Sequence, residues 1–413
     1  MTKPLQRWVC CQIGAREHYS VARGLQACDC LDHLVTDVWS RPGSLPQVFP
    51  KGFARVRQRF HPEVADDKVR SFNAAALAYE LGWRLRRRRE WEQVIARNDW
   101  FQKRARRHLG RIQFEFSKQR RDAPPVLFSY SYAARGVFEF AKQHGWRTVL
   151  GQIDPGPVEE RLVAEEHARQ TQIDSSWRPA PASYWTAWRQ ECELADHIVV
   201  NSRWSQTALE EEGIDATKIQ VIPLAYNAPA EASRFERRIP REFSPERPLR
   251  VLFLGQIILR KGLAALLDAA KLLENEPIEF QMVGSLGIKL SAEDLARPNI
   301  RWFGSVPRAR VHDFYKSSDV FLFPTLSDGF GLTQLEAQAW KLPLIASRNC
   351  AEVVKPGVNG LLLNDVSGPS VATALRQCLE SPEQLATFGS NSSVPDECQL
   401  RSVSRMFAQL VVD

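Results

Sequence analysis

Twice along the chain, short apolar runs alternate with longer stretches of helical period, and one polar, proline-bearing segment divides the two series. That alternation constrains the fold more than any other feature. Parallel strands need crossover connections, and helices usually supply them. In the first half "WVCCQI", "DHLVT", "PVLFSYS", "RTVLGQI", "DHIVVNS" and "IQVIPL" read as strands, with helical patterns between them that include residues 184–195 and 205–212. The divider, "NAPAEASRFERRIPREFSPERPLR", reads as a linker. After it, "LRVLFLG", "IEFQMVG", "NIRWFG", "DVFLFP" and "LPLIAS" read as strands, and "KGLAALLDAAKLLE", "ARVHDFYKSS" and "GLTQLEAQAWK" as helices. The pattern predicts an α/β protein of two Rossmann-like domains facing across a cleft, residues 1–235 and 245–385. A partly helical tail, 386–413, is expected to pack back on the first domain. With 413 residues, each half is long enough to bury its own core.

The net charge of +7 suits an anionic partner such as a nucleotide, a phosphorylated substrate, a membrane surface or nucleic acid. Much of it sits in residues 84–111, "RLRRRREWEQVIARNDWFQKRARRHLGR", where eleven arginines and lysines stand against three acids. Three readings fit this basic amphipathic insertion. It is a solvated helix face with its aromatics in the core, a peripheral contact with anionic membrane, or a site for an anionic acceptor or nucleic acid. No zinc-finger, homeodomain or RNA-recognition motif accompanies it, so no specific nucleic acid is expected. The eight cysteines form no C-x-x-C pair or zinc spacing and are expected to be reduced, with Cys28 and Cys30 the one pair placed to bind metal or oxidise. No signal-peptide pattern or membrane span is read, and the expectation is a cytoplasmic protein, peripheral on the membrane if the basic segment makes that contact.

Two stretches carry chemistry. In "LFLGQIILRKGLAALLDAA" a strand ends at Gly255, and Arg260, Lys261 and Gly262 open a helix, which makes either a diphosphate site or a polar turn with solvated cations. In "SDGFGLTQLEAQAWKLPLIAS" a turn at Asp328 and Gly329 leads into a helix expected to begin near Phe330. There the amides of Gly331 and Leu332 would face an anion, and Glu336, more than one turn in, would accept from adjacent sugar hydroxyls. The alternative for the two carboxylates is a helix cap and a solvent-facing charge. In "GQIDPGPVEERLVAEE", Asp154, Glu159 and Glu160 either line an acceptor cleft or cap a helix and face solvent. Trp185, Trp188 and Trp204 are read as packing residues, with sugar platforms as the alternative. The chain has no G-x-x-x-x-G-K-[ST] loop, no G-x-S-x-G elbow and no H-E-x-x-H.

The order of the strand and "RKG" helix, then "NIRWFGSVPRARVHDFYKSSDVFLFPTLSDGFGLTQLEA", then "LPLIAS", resembles the nucleotide-sugar glycosyltransferases of the GT-B fold, and within them the retaining family 4 (glycosyl transferases group 1). Their E-x7-E motif is written E-G-F-G-L-x-x-L-E-A. "ELADHIVVNSRWSQTALEEEGIDATKIQVIPLAYN" is similar to the end of that family's N-terminal domain, and "GAREHYSVARGL" stands at its glycine loop. The resemblance implies that Glu336 binds the donor ribose and that Asp328 touches the transferred sugar. The amides of Phe330, Gly331 and Leu332 would hold phosphate oxygens. Lys261, with Arg260, would neutralise the leaving diphosphate. The backbone near Val306 would meet the nucleobase, and Gly14 would lie beneath the diphosphate from the other domain. Asp154 and Glu159 are the acceptor-side candidates.

Three departures stand out. Asp328 replaces the first glutamate of the motif, Gln256 replaces an arginine that Arg260 is placed to supply, and Ser131 and Tyr132 occupy the neighbourhood of an expected histidine. The resulting expectation is a retaining, metal-independent hexosyl transfer from a nucleoside diphosphate sugar to a glycan, lipid or small-molecule acceptor. No cofactor beyond the donor and no metal site is expected. The rivals are a nucleotide-sugar epimerase on the same fold, a degenerate binding or scaffold protein, and a membrane-surface or nucleic-acid binder led by the basic segment.

Overall fold

In the first domain, apolar strands buried on both faces feed amphipathic helices that cover the sheet. The structure is a computed structural model that describes residues 6–43, 59–84, 90–118, 123–173 and 175–411. Its elements run β1 (Trp8–Gln12), α1 (Ser20–Ala27), β2 (Leu31–Thr36), β3 (Val69–Ser71), α2 (Asn73–Arg84), α3 (Glu90–Lys118), β4 (Val126–Tyr130), α4 (Arg135–Gln143), β5 (Arg147–Gly151), α5 (Pro157–Arg169), α6 (Ala182–Leu194), β6 (His197–Val200), α7 (Arg203–Glu211) and β7 (Ile219–Val221). The sheet order is β3-β2-β1-β4-β5-β6-β7, and every pair is parallel. The basic segment becomes α3, whose Phe101, Ala105, Leu109, Ile112 and Phe116 enter the core, while residues 85–89 lie outside the described residues.

The second domain runs β8 (Leu249–Leu254), α8 (Leu263–Leu272), β9 (Ile278–Val283), α9 (Ala292–Leu295), β10 (Ile300–Gly304), α10 (Arg308–Ser317), β11 (Val320–Phe323), α11 (Thr333–Ala339), β12 (Leu344–Ala346), β13 (Gly360–Leu362), α12 (Gly368–Glu380) and α13 (Pro382–Asn391). Its sheet order is β10-β9-β8-β11-β12-β13, again parallel. Both sheets therefore reverse their strand order once, between β1 and β4 and between β8 and β11. Ligands of open α/β sheets bind beyond the carboxyl ends of the strands at such a reversal.

The segment that reads as a linker is anchored. Arg237 donates to the carbonyls of Lys341, Trp340 and Tyr315, which ties it to the second domain. The tail divides. Leu385 of α13 joins the second domain's core, and only the last helix, α14 (Leu400–Gln409), crosses back to lie on α1. Phe407 meets Trp8 and Phe128 edge-on at 6.3 and 5.7 Å, and Arg147 donates to the Val411 carbonyl. Burying a phenylalanine against such neighbours is worth about 1.5–3 kcal/mol, enough to fix a single helix on the surface it covers.

Candidate active site

The two strand-order reversals face one another. Between them lies a cleft of ≈ 590 Å³ lined by Ile13, Arg16, Glu17 and His18 from the first domain and by Gly255, Gln256, Lys261, Asp328 and the loop 330–333 from the second. The domains touch around it. Ser202 Oγ donates to the Gly329 carbonyl (2.8 Å), the Trp204 indole donates to Ser327 Oγ (3.1 Å), and Arg308 donates to His18 Nε2 (2.6 Å). A Cβ on Gly329 would stand 2.3 Å from the Ile153 carbonyl, so only glycine lets this loop meet the first domain so closely.

Lys261 and Asp328 form a buried ion pair, with Lys261 also over the Phe323 ring at 5.1 Å. Burial disfavours the Asp328 carboxylate, but Lys261 and Arg260 outweigh it and hold the carboxyl below its ordinary range. Burial lowers the Lys261 ammonium, and Asp328 pulls against that. Arg260 bridges the domains by contacting Glu159 (3.4 Å) and the Ser327 carbonyl (3.1 Å). Burial, with Asp154 and Asp328 nearby, pushes the Glu159 carboxyl up to about 7 against the pull of Arg260. Asp154 accepts from the Tyr132 hydroxyl (2.5 Å) and the Gly156 amide (3.0 Å), and burial raises its carboxyl too.

Several expected positions shift. Helix α11 begins at Thr333, not near Phe330, because Gly331 adopts φ +85 and breaks the helical path. Glu336 therefore lies in the first turn. It accepts from the Tyr315 hydroxyl at 2.8 Å, and burial raises its carboxyl. The Phe330 amide points at Asp328 Oδ1 at 3.4 Å, whereas the amides of Gly331 and Leu332 donate to no protein acceptor among the described residues. Val306 is half-buried against the core around α11 rather than in the cleft. Gly14 gives its amide to Asp37 (2.9 Å), and Asp37 in turn holds Arg59 and Arg97.

Some functional positions escaped the sequence reading. The loop after β1 puts three successive non-glycine residues, Glu17, His18 and Tyr19, at φ 50, 51 and 61, and it turns Arg16 into the cleft. Such strain gathers at functional sites, yet non-glycine side chains give it no sequence signature. Burial and the Arg308 charge take His18 down to about 4, so it is a neutral acceptor for Arg308. Glu191 of α6 accepts from the amides of Tyr132, Ala134 and Arg135 and so fixes the loop after β4, where Tyr132 takes φ +73. Trp188 is buried and Trp185 packs edge-on to it against the same core, and Trp185 also lines a second cavity beside the cleft. The thiols of all eight cysteines are free. No helix among the described residues is long and apolar enough to cross a membrane.

Residues 235–393 match the family model described as Glycosyl transferases group 1. The chain is 28% identical over 240 residues to D-inositol 3-phosphate glycosyltransferase 2 of Catenulispora acidiphila, a match covering 52% of this chain and 55% of that protein. It is 27% identical over 176 residues to an uncharacterised 41.2 kDa protein in the cps region of Klebsiella pneumoniae, covering 41% of this chain and 48% of that one. The chain thus spans about half the length of the curated relatives it matches. Among solved structures, a sucrose-phosphate synthase of Thermosynechococcus elongatus superposes with a TM-score of 0.64 at 16% identity over 98% of both chains. HepE of Anabaena in complex with UDP superposes at 0.59 and 15%, also over 98% of both. At these identities the likeness is one of fold, two Rossmann-like domains in the GT-B arrangement.

Proposed function

We propose that the protein transfers a hexosyl group from a nucleoside diphosphate sugar to an acceptor hydroxyl, with retention at the anomeric carbon and with protein cations in the role a metal would otherwise fill. One observation carries the reading. Lys261, the amides of Gly331 and Leu332, and Arg16 from the opposite domain converge on the cleft where the two strand-order reversals meet, with Arg260 next to Lys261 but turned to the adjoining cavity. The match of residues 235–393 to Glycosyl transferases group 1 supports it, as do the UDP and UDP-glucose held by HepE of Anabaena, which make UDP-sugars the first donors to test.

In this reading the acceptor oxygen attacks the anomeric carbon from the face of the leaving group as the bond to the diphosphate breaks. The acceptor proton passes to the departing phosphate oxygen. Negative charge grows on the diphosphate, and preorganised donors aimed at growing charge are usually the largest catalytic contribution. Lys261 lines the cleft and is such a group. It is paired with Asp328, which can hold the ammonium in place between turnovers and orient the transferred sugar during them. Glu336 keeps one carboxylate oxygen for ribose while Tyr315 holds the other. The contacts at Gly329, Ser202 and Trp204 close the cleft and limit hydrolysis.

The test is a panel of nucleotide sugars measured by calorimetry and by slow hydrolysis, with Glu336→Ala beside the wild type. Wild type is expected to bind a UDP-sugar and the variant to lose most of that affinity. Equal affinity in both would remove the ribose clamp, and binding without any turnover would favour a degenerate binding protein.

A peripheral contact with anionic membrane is part of the proposal for one reason. The outer face of α3 presents Lys103, Arg107, Arg111 and Lys118 together with Phe114, which is 59% exposed. Basic residues around an exposed aromatic suit a headgroup layer. Flotation with anionic against neutral vesicles tests it, and equal recovery with both would end it.

A further inference from the structure

Beside the donor cleft lies a second cavity of ≈ 360 Å³, and Gln256 lines both. Its walls are rich in aromatic rings. Tyr184 stacks on Tyr132 at 4.8 Å, and Trp91 and Trp185 stand 4.9 and 5.3 Å from Tyr184. Trp177, stacked on His167 at 4.7 Å, adds another. Such rings offer broad apolar faces to the C–H face of a sugar, and a few polar groups between them fix its orientation.

The polar groups are mostly carboxylates. Among the described lining residues, Glu90, Asp154, Glu159 and Glu160 stand against the guanidiniums of Arg178 and Arg260. Arg260 is committed within the site, and Arg178 stands exposed at its rim. Arg178 donates to the Trp177 carbonyl (2.7 Å), and Arg260 is divided between Glu159 and Ser327. His167 is lowered by burial and by Arg178, and so adds no charge at neutral pH. The inner carboxylates are also partnered. Glu160 accepts from the Ala180 amide (2.6 Å) and the Trp185 indole (2.9 Å), Asp154 from Tyr132, and Glu159 lies against Arg260. Spare lone pairs remain on these carboxylates and suit hydroxyl donors. Burial raises the Asp154 and Glu159 carboxyls, which disfavours a bare charge there, and the acids outnumber the guanidiniums, which opposes a phosphate.

We propose that this cavity receives the acceptor as an uncharged sugar ring, laid on the aromatic walls with its hydroxyls donating to Asp154 and Glu159, and that it excludes a phosphorylated polyol. The proposal rests on the glycosyl-transfer reading and names the acceptor class for that site. It separates this chain from relatives whose name specifies D-inositol 3-phosphate, which bears the charge this cavity opposes.

The experiment holds the full chain at saturating UDP and titrates it with methyl hexosides, the matching hexose 6-phosphates and the matching amino sugars, read by tryptophan fluorescence and calorimetry. At least one methyl hexoside is expected to bind tenfold or more tightly than its phosphate and its amino analogue. Trp177→Ala is expected to weaken that hexoside at least tenfold with UDP affinity unchanged, and Trp177→Phe, which keeps a ring, to restore part of it. Tighter binding of the phosphate or of the amino sugar would overturn the proposal. So would failure of every methyl hexoside to bind, or an unaffected Trp177→Ala. Failure to bind UDP or any UDP-sugar would count instead against the glycosyl-transfer reading itself.

Discussion

The two faces of the cleft are built by different means. The second domain lines it with backbone at positive φ, Gly255 and Gly331, and with Lys261 after β8, while Gly262 and Gly284 let that domain's own loops pack closely behind. The first domain uses side chains, Arg16 in the cleft and Tyr132 and Asp154 in the cavity beside it, with positive φ forced on non-glycine residues. A backbone-made site tolerates few sequences, because glycine must stand where a Cβ would collide. A side-chain site can be rebuilt with many residue types. The second face is therefore expected to carry the chemistry common to the fold, and the first to set what this chain accepts.

The sharpest way to break that contrast is to remove one polar group from each face. Lys261→Ala is expected to lower transfer about 10²–10³-fold, the range for losing one preorganised donor at growing charge. Tyr132→Phe loses one hydrogen bond to Asp154, an effect of about 1 kcal/mol, or less than roughly tenfold in rate. Steady-state kinetics on both variants decides it. Equal losses would place the chemistry on both faces.

Sequence legibility followed the same division. The order of strands and helices could be read because short apolar runs alternate with longer stretches of helical period. The two missed strands, β3 and β13, are three residues long and lie at the sheet edges, whereas β7 and β12, equally short, sit in the longer apolar stretches "IQVIPL" and "LPLIAS". Lys261, Arg260 and Asp328 were legible as a group because glycines and cations cluster beside them. The Tyr315 bond to Glu336, the capture of the Gly14 amide by Asp37 and the exposure of Trp185 to a cavity depend on partners 21, 23 and many more residues away, and no local pattern reports them. Helix α3 was legible as amphipathic, but which face it buries is decided by the sheet it meets.

A matched pair of glycines sharpens the contrast in stability. Gly14 and Gly262 share φ 77, so alanine at either costs about 1–2 kcal/mol for the left-handed conformation alone. Their neighbours differ. A Cβ at Gly14 meets the end of the Arg59 guanidinium at 3.3 Å, which can move, whereas at Gly262 it falls 1.8 Å from the Pro324 carbonyl, which is backbone. Gly262→Ala is therefore expected to lose about 1–3 kcal/mol more than Gly14→Ala in urea unfolding. Equal losses would mean that the second face can relax, and that its glycines serve conformation rather than close approach.

The smallest effect concerns the point where the faces touch. Glu159 belongs to the first domain, but Arg260, its partner, belongs to the second. Its carboxyl is pushed up to about 7 by burial, above the ~4.3 of a free glutamate. Between those values the folded chain keeps a proton that the unfolded chain has lost, so this group's contribution to stability falls as pH rises through that window. Glu159→Gln removes the titration. Its stability relative to wild type is expected to improve from pH 5 to pH 8, by on the order of 1 kcal/mol. Denaturant midpoints at the two pH values measure it. A difference that stays flat would mean that Arg260 keeps Glu159 ionised throughout. The boundary between the two faces would then be an ordinary ion pair, and not a place where the side-chain face bears strain imposed by the backbone-built one.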